Sequence, residues 1–265
     1  MGTGILYYES PVYSVADRTS KMPKTERYKL APIVEAIIDI QFEQPENLKV
    51  DALAELAGVL GEKYPKRQDI SFVSSKLSAA GVESTPMTVI GHRFDSTDSK
   101  YVLQVKTAGF TLSRLSPYES WEPFRDEAKR LWEIFKPVAK PKKLTRAAVR
   151  YINQILLPAP KVRLEEYFRV YPEISEALPQ TIQTFAMQVF IPVPEWEVVM
   201  SLIQATLPAT GADLPINLDI DLFKHVPDGF SSEDEVWTLF ENLRDKRNSV
   251  FEGCITDKTR EIFYR

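Results

Sequence analysis

The residues best suited to chemistry lie on strand-like segments that alternate apolar and polar positions. Glu35 and Asp39 stand four apart in Val34-Glu35-Ala36-Ile37-Ile38-Asp39-Ile40-Gln41-Phe42. On an extended strand they share a face at roughly 13 Å, too far for a direct carboxylate pair. Arg146, Arg150 and Gln154 alternate onto one face of a second segment, with Val149, Tyr151, Asn153 and Ile155 on the other. Arginines so placed can do one of two things. They can form cross-strand ion pairs that fix register, or they can clamp a phosphate or carboxylate. Asp219 and Asp221 share a strand face at about 7 Å, a spacing that suits a divalent ion. No third ligand is identifiable, and a solvated strand face is the plainer reading. In Ser113-Arg114-Leu115-Ser116-Pro117-Tyr118-Glu119-Ser120-Trp121, the side chains of Tyr118 and Trp121 combine a large apolar body with a polar tip. They suit either the anchoring of a helix start or an aromatic binding patch.

Other chemistries find little support. The chain has two histidines, His92 and His225, and one cysteine, Cys254. A structural zinc site takes four such ligands, so none is expected. No Walker loop, GxGxxG, zinc-protease pattern or nucleophile elbow occurs, and ten glycines leave little material for phosphate-cradling loops. A triad assembled from distant residues is open only to geometry. Cys254, between Phe251 and Ile255, reads as a small buried hydrophobe, and a lone thiol fits a reducing cytoplasm. A net charge of −4 argues against general nucleic-acid binding, which needs a basic excess. No stretch approaches the roughly 20 apolar residues of a membrane helix, and no signal-peptide pattern opens the chain. The expectation is a cytoplasmic protein without metal, cofactor or membrane contact.

These residues must be positioned by an α+β arrangement. The strand Val34–Phe42 is followed by an amphipathic helix over 50–64, ended by Pro65. Strands are expected at 70–79, 87–94, 101–106 and 110–115, joined as an antiparallel meander. Ser120 is placed to cap a helix over 121–135 that Pro137 closes. A Pro/Lys linker over 136–143 then precedes a looser second series. It has a strand over 146–157, a short helix near 164–169 and strands at 181–192, 196–207 and 216–225. A helix capped by Ser231 or Ser232 carries Val236, Trp237, Phe240, Leu243 and Arg247, and a last helix runs over 257–263 behind Thr256. The series predicts an irregular N-terminal arm over 1–24, a first half over 25–140 and a second over 141–265, or one continuous domain. Met22 is an alternative start, and Tyr7, Tyr8 and Tyr13 would let the arm pack on a neighbour.

The order of strand, helix, strands and long helix, given twice, resembles the TATA-binding-protein-like fold. That resemblance implies duplicated β-α-β(3-4)-α units forming one curved antiparallel sheet covered by long helices. In that arrangement Glu35 and Asp39 would meet Arg150 and Arg146 at the seam. Several phrases also resemble a sporadically distributed family of uncharacterised bacterial proteins of about 250 residues: Ala31-Pro32-Ile33-Val34-Glu35-Ala36-Ile37, Ser113-Arg114-Leu115 before Tyr118 and Trp121, Arg150-Tyr151-Ile152-Asn153, and Arg247-Asn248-Ser249-Val250-Phe251-Glu252 with Ile255-Thr256-Asp257. The resemblance covers residues from about 22 onward and transfers no activity. The family's patchy distribution would fit mobile or defence-associated genes.

Glu35, Asp39, Arg114, Tyr118, Trp121, Arg146, Arg150 and Asn153 are therefore the candidate binding residues, with no catalytic residue among them. The leading expectation is a non-enzymatic protein that engages a protein partner or a second copy of itself. The alternative is a binder of a small apolar or anionic ligand, with its pocket between sheet and helices. Nucleic-acid binding by the sheet is disfavoured, because Glu35, Asp39, Asp219 and Asp221 would repel phosphates. Enzyme chemistry is disfavoured by the lack of paired acid–base groups.

Overall fold

The computed structural model describes residues 28–72, 75–78, 81–84, 87–158, 161–209 and 211–264. The expected arm over 1–24, with its tyrosines and Met22, lies outside the described residues.

The alternation around Ile38 does what it predicts. In β1 (Ile33–Phe42), Ala36, Ile38 and Ile40 are fully buried. This strand pairs antiparallel on one side with β7 (Gly109–Leu115) and on the other with β8 (Leu144–Leu157). Outward from β7 come β6 (Tyr101–Lys106), β5 (Thr88–Asp95) and the edge strand β2 (Lys66–Phe72). Outward from β8 come β11 (Leu214–His225), β10 (Val198–Thr206) and the other edge, β9 (Ala186–Val193). The result is one open nine-stranded sheet, and every pairing in it is antiparallel. β3 (Ser75–Ser78) and β4 (Gly81–Ser84) form a separate two-stranded ribbon. The β1–β8 seam makes the sheet continuous across both expected halves.

Among the described residues five α-helices accompany the sheet: α1 (Val50–Ala54), α2 (Leu56–Leu60), α3 (Trp121–Ala139), α4 (Glu233–Cys254) and α5 (Asp257–Ile262). One face of the sheet is buried beneath them. Phe124, Leu131, Trp132 and Phe135 of α3 and Val236, Phe240 and Leu243 of α4 share a core with Ile38, Ile40, Phe110, Val149 and Tyr151. A second cluster joins Val250 and Phe251 of α4 to Ile155, Ile216, Leu218 and Phe263. Full burial of each such side chain stabilises the fold by about 1.5–3 kcal/mol. The indole Nε1 of Trp121 donates to Glu241 at 2.8 Å, and Lys136 reaches Glu233 at 3.1 Å. These two contacts set α3 and α4 side by side and antiparallel. Glu127 of α3 is held by Lys63 at 2.9 Å, the Tyr64 hydroxyl at 2.7 Å and Arg130 at 2.7 Å. Burial works against its ionised form, but these donors outweigh it and hold its carboxyl below the usual range. Gly91 lets β5 approach β6: a Cβ there would sit 2.1 Å from the Val105 carbonyl oxygen.

Several boundaries differ from expectation. The helix expected over 50–64 breaks at Glu55 into α1 and α2, and Gly61, at φ 57°, ends α2 and opens the 3-10 turn Gly61–Lys63. Pro137 does not close α3, which continues to Ala139. The proline lies in the last turn, and Lys140 terminates the helix in the left-handed region at φ 48°. The helix expected near 164–169 is a single 3-10 turn, Leu164–Glu166. The strand expected over 70–79 splits between β2 and β3, and that expected from 181 begins at Ala186. Helices are few and, apart from α3 and α4, only five or six residues long.

Candidate functional site

The eight candidate residues fall on opposite sides of the sheet. Glu35, Asp39, Arg146 and Arg150 belong to the face away from α3 and α4. There Arg146 donates to Asp39 at 2.6 Å and to Asp221 at 3.0 Å, with its guanidinium 4.5 Å above the Phe223 ring. Asp39 also accepts from the Thr111 hydroxyl at 2.7 Å. Arg150 forks onto both carboxylate oxygens of Asp219, at 2.8 and 2.5 Å. The Asp39–Arg146 rung forms as expected. The Glu35–Arg150 rung does not, since Arg150 is taken by Asp219; the register from Glu35 to Gln41 is unbroken, so strand offset alone does not decide it. Asp219 and Asp221 are buried ion-pair partners rather than a solvated face or a metal pair. Burial raises Asp221 from the ordinary 3.8 to about 6, against the pull of Arg146 and Arg150. Both arginines are thus committed to carboxylates, which leaves no free clamp.

The remaining reactive side chains are also accounted for. His92 lies between the Asp69 carboxylate at 3.0 Å and the Val50 carbonyl at 3.2 Å. β6, β7, β1 and β8 stand between its strand and that of His225, so the histidines share no site. Burial pushes the Cys254 thiol up to about 12. No group of three or more His, Cys, Asp or Glu able to hold a metal ion occurs among the described residues. None of the described helices is long and apolar enough to cross a membrane.

On the helix-covered face, Tyr118, Trp121 and Asn153 come together. A cleft of about 530 Å³ opens where the seam, the β7–α3 connection and α4 meet, and Pro32, Tyr118, Trp121, Asn153, Arg247 and Glu252 all line it. Tyr118 and Tyr151 join hydroxyls at 2.9 Å. Burial, then the Tyr151 hydroxyl, raises the Tyr118 phenol well above its usual range. Arg114 sits behind this wall. It donates to the Leu115 carbonyl at 2.8 Å and reaches Glu119 at 3.3 Å, which makes it a brace for the connection.

The cleft holds two buried polar groups with unmet bonding. Asn153 is 0% exposed, and its Oδ1 has no hydrogen-bond partner. Arg247 is 5% exposed, and its Nε likewise has none. No ion pair to Arg247 is found among the described residues. Its guanidinium instead stacks on Tyr151, with Cζ 3.4 Å from the ring centre. Glu252, close by, is occupied by Arg260 at 2.8 Å and the Tyr28 hydroxyl at 2.7 Å. A buried cation without a counter-charge is costly, and such groups concentrate where a ligand completes them. A larger groove of about 1040 Å³ runs along the 161–185 segment, but none of its lining residues has a buried unpartnered polar atom. It carries no comparable chemistry.

Sequence reasoning passed over Arg247 as one more residue of the α4 stripe. The available signal was its position: Val236, Phe240, Leu243 and Arg247 recur at helical spacing, so an arginine occupies the buried face. Gln204 was missed too. It is 1% exposed, it stands in the same row as Asn153 with Leu218 between, and neither amide atom has a partner. Comparison of the chain with protein-family models and with curated proteins gives no match.

Proposed function

We propose that this protein binds a small anionic ligand in the cleft beneath the seam, with Arg247 as the group that recognises the charge. The observation that carries this reading is a buried guanidinium that has no carboxylate of its own and faces a cleft of ligand size. The reading is one of binding and assigns the cleft no reaction. Thermal denaturation of the full chain with a panel of anions (inorganic phosphate, sulfate, acetate and 3-phenylpropanoate) tests it. At least one should raise Tm in a saturable way in the wild type and leave Arg247→Met unmoved. No Arg247-dependent shift with any of them would sink the reading.

A second reading is a protein partner, including a second copy of the chain. It is favoured by β9, an edge strand among the described residues, where Phe190 is 61% exposed and Ile191 is 40% exposed. Light scattering across a concentration series, with Phe190→Lys as comparison, tests the second copy. A monomer at all concentrations removes it. The same reading keeps the chain's kinship with the sporadic bacterial family and treats the two halves as copies of one unit, curved about the seam.

A further inference from the structure

We infer that the ligand is a carboxylate carrying an O–H or N–H donor close to its carboxyl group and an apolar body, of the hydroxy-acid or amino-acid type. This rests on the anion-binding reading above and goes further by fixing what the cleft demands at each end.

The orientation of Asn153 is set by its surroundings. Its Nδ2 lies 2.9 Å from the Leu218 carbonyl oxygen and 3.4 Å from that of Tyr151. Both neighbours are acceptors, so the amide nitrogen must face them and Oδ1 must face away. That oxygen accepts only, and it is unmet and sealed from solvent. Whatever completes it has to bring a donor. Arg247 makes the opposite demand. One face of its guanidinium is closed by the Tyr151 ring, so a ligand reaches it in the plane of the group. There the Nε–H and a neighbouring N–H form the fork that matches a carboxylate. Tyr151 and Asn153 lie two residues apart on one strand face, roughly 7 Å. One small molecule can therefore present the acceptor to Arg247 and the donor to Asn153.

Charge favours a single carboxylate over a phosphate dianion. Only one cleft arginine is both buried and unpaired, since Arg244 is paired with Asp245 at 2.6 Å. Lys29, Arg244 and Arg247 line the cleft together with Glu119 and Glu252, a balance of one positive charge that suits a monoanion. Tyr118, Trp121 and Phe251 give one part of the wall an aromatic surface that suits an apolar body, beside Ser116, Ser120 and Asn248.

The test compares phenyllactate with 3-phenylpropanoate, which differ only by the hydroxyl, and uses inorganic phosphate as a third probe on the full chain by calorimetry. Phenyllactate should bind about five- to ten-fold more tightly, the worth of one hydrogen bond to an otherwise unmet acceptor. Asn153→Leu should bring that ratio towards one. If that variant does not fold, the two enantiomers of phenyllactate provide the second readout in the wild type, because a fixed acceptor beside a fixed fork distinguishes them. Equal affinity for phenyllactate and 3-phenylpropanoate, within two-fold, overturns the donor requirement while the anion site stands. Binding of phosphate alone overturns the carboxylate. Binding of none of the three overturns this inference and the anion reading together.

Discussion

Arg247→Met separates a ligand-binding arginine from a structural one. A guanidinium that is 5% exposed has lost most of its water. The effective penalty for burying an ion is several kcal/mol, and here no carboxylate repays it. The stack on Tyr151 at 3.4 Å returns about 2 kcal/mol, the upper range for a desolvated cation–π contact. Methionine fills a similar stem volume without charge, so the apolar area buried changes little. The net expectation is a ligand-free protein more stable by about 1–2 kcal/mol. For a chain of this size that is roughly 3–6 °C in Tm. Differential scanning calorimetry without added anion reads this change, and titration with phenyllactate reads the accompanying loss of binding. Arg247→Lys keeps the charge but not the planar fork, so it should bind weakly without the gain in stability. A loss of about 3 kcal/mol or more in Arg247→Met would identify the arginine as a structural anchor and refute the reasoning.

Asp221 should impose a pH dependence. Its folded pKa of about 6 lies above the ordinary 3.8, so the folded state takes up a proton between these values. Stability then falls as pH rises from about 4 to 6 and stays reduced above that, by up to about 3 kcal/mol for a shift of two units. Asp221→Asn should be the more stable protein at pH 8 and indistinguishable at pH 4 in urea titrations; the opposite ordering at pH 8 would refute the raised value. Gln204→Met removes two unmet buried amide atoms at nearly constant volume and should add about 1–2 kcal/mol by urea denaturation, whereas a loss would mean the amide is satisfied. Cys254 should resist a thiol reagent such as dithionitrobenzoate at pH 8 and react fully once urea unfolds the chain; fast labelling of folded protein would contradict its burial. Gly91→Ala should cost several kcal/mol, since the new methyl meets the Val105 backbone oxygen rather than a movable side chain, and unchanged stability would show that β5 can shift.

The fold was legible wherever a local pattern was the cause. Period-two alternation located β1, β8 and β11, because the pleat puts every second residue on the helix-covered face, while β6 and β7 were found as strand-like runs. The stripe in α3 was equally plain. Legibility failed where tertiary packing overrides propensity. The 50–64 segment has a helical stripe, yet the chain breaks it at Glu55, with α1 packed on β5 and α2 on α3. β9 was misplaced at its start because an edge strand is bonded on one side only and needs little pattern to hold it.

The site was less legible than the fold, and its arginines show why. Arg146, Arg150, Arg114 and Arg247 look alike as letters, but what distinguishes them is whether a partner stands within reach. For Arg146 the partner follows from strand register, a local rule applied twice, and Asp39 was found that way. For Arg150 the expected partner was Glu35, at the same diagonal offset as Asp39 to Arg146, but Asp219 takes it from β11, whose pairing with β8 no local pattern announces. For Arg247 the decisive fact is negative. The carboxylate nearest in sequence, Glu252, is claimed by Arg260 and Tyr28, two residues from distant parts of the chain. No spacing rule encodes that competition. The two faces of the sheet differ for the same reason. On the open face each guanidinium finds a carboxylate. On the helix-covered face one guanidinium and one amide oxygen are buried beside a cleft with their bonds unmet. Charge that is fully paired holds register, and charge that is buried unpaired is retained at a cost that a ligand can offset.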